Sequence, residues 1–447
     1  MSATATSTTK PPESRRKLAR DRRQECPRSS LGVWDPPPDR PDPIDVLREQ
    51  EEHRISELLP IRHQRMAASP FAFLRGAAAV MANDLAGSPT TGIKVQACGD
   101  AHLLNFGIFA SPERRLMFDV NDFDETLPAP FEWDVKRLAA SVVVAGRGRS
   151  FPAGDCAAAG QAAAETYRTQ MRGFATMGHL DVWYAHIEVQ DLLTLLANAE
   201  ARRLEGTVVR KAQQATNLGA LEKLTTLVDG ERRITDSPPL IEHVPMRQLP
   251  TEVVRRYVRS LPTDRRALLS RYRPVDWARK VVGVGSVGTD DAVVLGLGDS
   301  DSDPLFLQVK QAEASVLEPF AGASRYANHG QRVVEGQRLM QAASDIFLGW
   351  TRIDGRDYYV RQLRDMKGSI PIEKLAGSEL VDYARACGAV LARAHARSGD
   401  PLAIAAYLGS GAAFERAISQ FAVAYADQTD SDHKRMLEAI RSGELQG

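Results

Sequence analysis

The chain has 447 residues, with 57 Lys plus Arg against 57 Asp plus Glu, so its formal net charge is zero and gives no argument for a polyanionic partner such as nucleic acid. Hydrophobic residues at 43% and charged residues at 26% exclude a fibrous or disordered chain, and the length suffices for two lobes with their own cores. Cys26, Cys98, Cys156 and Cys387 lie far apart with no CxxC pair, which points to neither a zinc knuckle nor a disulfide framework.

Residues 1–43 read as a flexible tail: Ser/Thr-rich, then basic from Arg15 to Arg23, then proline-rich around Pro36, Pro37 and Pro38. No h-region accompanies the basic run and no apolar stretch is long enough for a bilayer, so a cytoplasmic protein with no membrane partner is expected. A helical lobe is expected over 44–275. It includes a helix from about Phe71 to Leu85, a strand Lys94–Cys98, a hairpin formed by Ile108–Phe109 and Leu116–Val120, and an apolar helix from Phe131 to Ala145. Helical periodicity dominates 156–230, where Arg202, Arg203, Arg210 and Lys211 read as a solvated face. Residues 276–370 turn to β, with strands at 280–282, 292–297, 305–309, 346–350 and 358–363 and one helix from Gln331 to Ser344. The final segment, 371–447, is expected to be helical and to pack back on the large lobe.

Two constellations carry chemistry. The first is Gly99-Asp100-Ala101-His102-Leu103-Leu104-Asn105 followed by Asp119, Asp122 and Asp124. In magnesium-assisted phosphoryl transfer one Asp orients a hydroxyl and accepts its proton, while an Asn and a later Asp hold metal on the nucleotide phosphates. Asp100 is therefore the expected base, with His102 shaping its loop. Asn105 and Asp122 are the expected Mg²⁺ ligands and Asp124 a second candidate, because hard oxygen donors suit that ion. Asp119 competes with Asp122 because it also ends an apolar stretch, and Asp134 is expected to anchor the loop by hydrogen bonding.

The second is Gly283-Val284-Gly285-Ser286-Val287-Gly288 between two strands. A dinucleotide fold needs a helix after such a loop, whereas a kinase flap bridges two antiparallel strands, so Gly283, Gly285, Ser286 and Gly288 are expected to cover phosphates. Lys310 ends the next strand and Glu335 follows on a helix as its expected partner, with 361–368 as a hinge. Asp299 to Asp303 reads as a polar hairpin turn and His395 as a structural histidine.

The GDxHxxN loop, Asp122-Phe123-Asp124 and Pro130-Phe131-Glu132-Trp133-Asp134 resemble the aminoglycoside and choline phosphotransferase branch of the protein-kinase-like superfamily. More closely, the chain from about residue 44 resembles the uncharacterised bacterial family called domain of unknown function 2252, through GDxHxxNFG, FDxNDFDET, GVGSVGT, VRQLRDMKGS and LARAHARSGD. The glycine-rich loop follows Asp100 in this chain but precedes the catalytic loop in ordinary kinases. The resemblance thus implies an α+β, two-lobe, protein-kinase-like fold that is circularly permuted, with a mostly helical large lobe and a smaller antiparallel β lobe. It also implies ATP and Mg²⁺, and transfer of a phosphoryl group to a small-molecule or protein hydroxyl acceptor. An AMP transferase on the same fold and a catalytically silent nucleotide-binding regulator are the alternatives. A metallophosphatase fits poorly, since its further ligand motifs are missing.

Overall fold

The computed structural model describes residues 10–190, 192, 206, 209–243, 251–281, 283–363 and 366–446 of a mixed α+β protein. Its first helix, α1 (Pro12–Glu25), corrects the expectation of a flexible lead: Ala19, Cys26 and Leu31 are buried, and Arg15 pairs with Asp400 at 2.9 Å. The basic residues have a structural task. A helix ends with unpaired carbonyls, and those closing the helix Pro401–Leu408 receive Arg23 on Tyr407 O (2.9 Å) and Arg28 on Leu408 O (2.6 Å). Residues 1–9 lie outside the described residues.

Next come α2 (Pro43–Glu51), capped by Asp42 on Ile44 N at 2.8 Å, and α3 (Leu59–Ala67). The single helix expected from Phe71 to Leu85 is two, α4 (Pro70–Gly76) and α5 (Ala78–Ala86), broken at Ala77. Two short antiparallel ribbons follow. β1 (Lys94–Ala97) pairs with β4 (Leu127–Pro130), and β2 (Phe106–Ala110) with β3 (Leu116–Val120). Both ribbons bring the loop after β1 and the loop before β4 to the same end, next to the apolar α6 (Phe131–Gly148) and α7 (Ala153–Phe174).

Helical periodicity stops earlier than the expected residue 230. α8 (Asn217–Leu224) leads into a hairpin of β5 (Thr225–Val228) and β6 (Glu231–Ile234). Arg202 and Arg203 lie outside the described residues, while exposed Arg210 donates to Gly206 O at 3.3 Å. After β7 (Ile241–Glu242) and the helix α9 (Thr251–Ser260), five strands complete the main sheet: β8 (Arg273–Lys280), β9 (Ala292–Leu297), β10 (Pro304–Ala312), then, after the helix α10 (His329–Met340), β11 (Gly349–Ile353) and β12 (Arg356–Gln362). The sheet is antiparallel throughout, in the order β11-β12-β10-β9-β8-β7. The β9–β10 connection is the expected polar turn, closed by Gly298 N on Asp303 O at 2.9 Å.

Alternation along a strand puts successive side chains on opposite faces. On β10, Leu305, Leu307 and Val309 take one face and pack with Tyr257, Leu261 and Val360. Phe306 takes the other with Ala278, Val293 and Leu295, covered by Ala220, Leu221 and Ile234. Described residues of segment 217–261, Ala220 to Ile234 on one face and Tyr257 to Leu261 on the other, therefore cover both faces of the sheet. A sheet with two apolar faces needs two covers, and the segment supplies both. The alternation also puts Gln308 and Lys310 on the Phe306 face, opposite Arg361 and Tyr359 of β12.

The C-terminal helices α11 (Gly377–Ser398), α12 (Pro401–Leu408) and α13 (Ala413–Arg441) pack on α6 and α7 through Leu391, Tyr407, Phe414 and Phe421. Tyr383 of α11 reaches the strand loop, donating to Leu103 O (3.0 Å) and Phe106 O (3.2 Å). Among the described residues no helix is long and apolar enough to cross a membrane.

Candidate functional site

The Asp100 loop is held by one face of α6. Residues at i, i+3 and i+7 share a helix face, and Asp134, Arg137 and Ser141 occupy that series on a helix whose remaining charges are Glu132, Lys136 and Arg147. The Asp134 carboxylate accepts from Cys98 N (2.6 Å) and Gly99 N (2.9 Å), Arg137 forms an ion pair with Asp100, and Ser141 Oγ accepts from Leu103 N at 3.1 Å. Asp134 is thus the loop anchor that the sequence led us to expect. His395 completes it: its Nε2 lies 3.0 Å from Asp134 and its Nδ1 2.9 Å from the Tyr167 hydroxyl, so Asp134 takes the ring proton and Tyr167 donates. Gly99 has φ +82°, and a Cβ there would collide with the Glu125 backbone, so the two loops abut only through glycine.

Within the loop, His102 Nδ1 accepts from Leu104 N at 3.2 Å, which leaves its Nε2 proton toward Asp100 Oδ2 at 3.6 Å. Burial, then the charges of Arg75 and Arg137, hold the imidazole pKa well below its usual range, so the ring shapes the loop as a neutral group. Asn105 spends its Nδ2 on Asp100 O at 2.6 Å, which leaves its amide oxygen to line the cleft. Burial raises the Asp100 carboxyl to about 7, with Arg137 opposing and Glu125 and Asp122 reinforcing. A carboxylate that must be ionised to take a proton loses that ability as pH falls through its pKa. If Asp100 serves as the base of an acceptor-dependent reaction, turnover falls about tenfold for each pH unit below about 7, measured as a kcat/KM profile. A flat profile from pH 8 to pH 5 would remove Asp100 as the base.

The second loop separates its carboxylates by environment. Asp119 is 1% exposed and saturated: Arg393 at 2.5 Å, Ala342 N at 2.9 Å and Val120 N at 2.8 Å. Asp124 pairs with Lys310 Nζ at 2.6 Å and accepts the Tyr359 hydroxyl at 2.6 Å; burial opposes its ionisation, but those partners hold it down to about 2. Among the described residues no ion pair reaches the Asp122 side chain, and burial and then the Asp124 charge push its pKa up against the more distant Lys310 and Arg361. Glu125 Oε2 accepts from Val316 N at 2.8 Å. Arg332 of α10 ties the loop to the sheet, donating to Asp124 O (2.8 Å), Thr126 O (2.8 Å) and Glu313 O (2.7 Å).

Glu335 does not meet Lys310. It pairs with Arg338 one turn along α10 at 3.2 Å, while Lys310 takes Asp124; the α10 residue turned toward the Asp124 loop is Arg332 instead. Burial alone would lower the Lys310 ammonium, but Asp122 and Asp124 outweigh it and hold its pKa well above the ordinary value.

The glycine-rich loop is strapped from outside by the segment after α2. Arg65 donates to Gly283 O (2.5 Å), Arg62 to Gly285 O (2.8 Å), Arg54 to Val287 O (2.6 Å), and Ile55 N to Gly288 O (2.8 Å). Gly288, at φ +94°, presses against Arg54, where a Cβ would stand 3.0 Å from the Arg54 Cβ. The loop tip meets the acidic loop through Ser286 Oγ, 3.4 Å from Asp124 Oδ2.

Two cavities flank Asp122. One is lined by Asp100, His102, Asn105, Asp124, Gly283, Gly285 and Ser286 together with Gln50, Arg54 and Arg75. The other is lined by Lys280, Gln308, Lys310, Arg361 and Lys367 beneath the same glycine-rich loop. Among the described residues no three His, Cys, Asp or Glu side chains form a metal cage. An oxygen pair such as Asp122 and Asn105 suits Mg²⁺, which usually takes one or two carboxylates and leaves its other positions to waters and phosphates. Asp124, already committed to Lys310 and Tyr359, fits a second ligand less well. All four cysteines are buried and unpaired, and burial raises the Cys98 thiol, as befits a packing residue.

Of the residues singled out in the sequence, Asp100, Asn105, Asp122, Ser286 and Lys310 line these two adjoining cavities, while Glu335 pairs elsewhere. Sequence reading missed Arg137, Arg332 and Tyr359, and read Arg361 as the start of a hinge over 361–368, of which 364 and 365 lie outside the described residues. The first had a signal, its i+3 spacing from Asp134; Tyr359 and Arg361 had one too, their two-residue spacing on a strand facing Lys310. No curated protein and no solved structure matches the chain. A family profile does, over residues 54–439, so the chain belongs to the DUF2252 family, described as an uncharacterized protein conserved in bacteria.

Proposed function

We propose that the protein is an ATP-dependent, magnesium-assisted phosphotransferase that acts on a hydroxyl-bearing acceptor. The observation that carries the reading is the meeting of Asp124 with Lys310 and Ser286, across more than 160 residues, beside a cavity that Asp122 also lines and beneath a glycine-rich loop that joins two antiparallel strands. The strand order β8-β9-β10-β12-β11, with Lys310 on the third strand and α10 leading into the last hairpin, supports a kinase-like small lobe. Circular permutation accounts for a loop that follows Asp100 in the chain yet covers it in space.

In this reading the basic cavity receives the triphosphate, with Lys310 and Arg361 neutralising charge and the glycine-rich loop covering it. Asp122 and Asn105 would hold Mg²⁺, which when bound shields the phosphates and the developing charge on the leaving oxygen. Asp100 orients the acceptor hydroxyl and takes its proton. The acceptor oxygen bonds to the γ-phosphorus, the bond to the β,γ-bridging oxygen breaks, and that electron pair leaves with ADP. Arg137 keeps Asp100 in position.

Nucleotide-dependent thermal shift on the full chain tests this. MgATP at about 100 times its Kd is expected to stabilise the wild type by about 2.7 kcal/mol. Lys310→Met is expected to lose most of that shift, and Glu335→Gln to keep it. No wild-type shift at saturating nucleotide sinks the reading. Parallel γ- and α-labelled ATP then separates phosphoryl from AMP transfer, and nucleotide binding with neither label transferred identifies a silent regulator.

A further inference from the structure

The Asp100 cavity holds carboxylates on the elements that carry the proposed chemistry, but it also has a wall of a different kind. Gln50, Arg54 and Arg75 line it from α2, the segment that follows and α4. Among the described residues no hydrogen bond or ion pair reaches the Arg75 side chain, and its Nε is buried without a partner. Arg54 uses Nη1 on Val287 O, yet its Nε is also buried and unpartnered, as is Gln50 Oε1. Three unsatisfied polar atoms around one cavity are costly unless something that enters the cavity supplies partners.

Arg75 stands close enough to Asp100 and Asp122 for both charges to act on its guanidinium, and close enough to His102 to depress its imidazole pKa. It is therefore beside the proposed base, not beside Lys310, whose cavity has its own cations. A planar guanidinium with free donors matches the paired oxygens of a carboxylate or phosphate group.

We propose that the acceptor is an anionic hydroxyl compound whose carboxylate or phosphate lies near the reacting hydroxyl, and that Arg75, assisted by Arg54, binds that group. Gln50 Oε1 accepts from a further hydroxyl or amine of the same molecule. The inference rests on the phosphotransferase reading for the fate of the hydroxyl: its oxygen takes the phosphoryl group, its proton passes to Asp100, and ADP leaves.

The test is thermal shift of the full chain with its nucleotide cavity filled by MgADP, using inorganic phosphate, glycerate, glycerol 3-phosphate and glycerol as probes at millimolar concentration. The anions are expected to raise Tm and glycerol is not. Glycerate against glycerol 3-phosphate tells carboxylate from phosphate. Arg75→Ala should weaken the anion response at least about tenfold while keeping the MgADP shift, which shows that the variant is folded, and Arg75→Lys should restore part of it. Anion shifts that survive Arg75→Ala, or no shift with any anion, overturn the proposal. If MgADP itself gives no wild-type shift, the phosphotransferase reading fails; the anion series without nucleotide still reports on Arg75.

Discussion

Replacing Asp122 by Asn is expected to lower phosphoryl transfer at least about 10³-fold, equivalent to about 4 kcal/mol of transition-state stabilisation, with no loss of folding stability. The activity loss follows from the proposed metal-ligand role: Asp122 lines both cavities, and among the described residues no ion pair reaches its carboxylate. The preserved stability follows from the same facts. Burial and the neighbouring Asp124 charge disfavour the ionised carboxylate in the folded protein, and Lys310 keeps its contact to Asp124. A neutral amide of the same shape relieves repulsion. Turnover by labelled-phosphate transfer and unfolding by urea read the two effects separately. Wild-type-like transfer in Asp122→Asn would take the metal-ligand role from this residue.

Asp119→Ala is expected to do the opposite, lowering unfolding free energy by about 3–5 kcal/mol while the folded fraction still binds MgATP. Asp119 and Arg393 are 1% and 2% exposed, so removal of the carboxylate strands a buried guanidinium whose Nη1 already lacks a partner. It also frees Ala342 N, the link between α10 and β11 that leans on Asp119. Urea denaturation measures the loss. A stable Asp119→Ala protein that binds no MgATP would exchange the roles of the two carboxylates.

These two residues show how far the sequence could be read. Both end apolar stretches and both precede aromatic or apolar neighbours at similar spacing, so nothing local separates them. What separates them is Arg393, 274 residues away on α11. The same limit explains Lys310. Its strand, its face and its approach to the glycine-rich loop follow from two-residue alternation and from the strand–loop–strand context. Its partner does not, because a helix carboxylate at a plausible spacing, Glu335, finds Arg338 one turn away. The basic lead was misread for a related reason. A run of arginines looks solvated until the carbonyls closing α12 are placed beside it.

What the sequence determined by itself is what depends on near neighbours: the mixed α+β class, the strands at 94–97, 292–297, 304–312 and 356–362 to within a few residues at their ends, the glycine-rich turn, the Asp100 loop and its Asp134 anchor. Alternation, helical spacing and the need for glycine at Gly99 and Gly288 act over a few residues, and composition reveals them. Tertiary structure alone decided which charges meet: Lys310 with Asp124, Asp119 with Arg393, Asp100 with Arg137, and the arginines after α2 with the glycine-rich loop. Coulomb and hydrogen-bond energies in a buried site depend on distance in space and on desolvation, and neither is a function of separation along the chain.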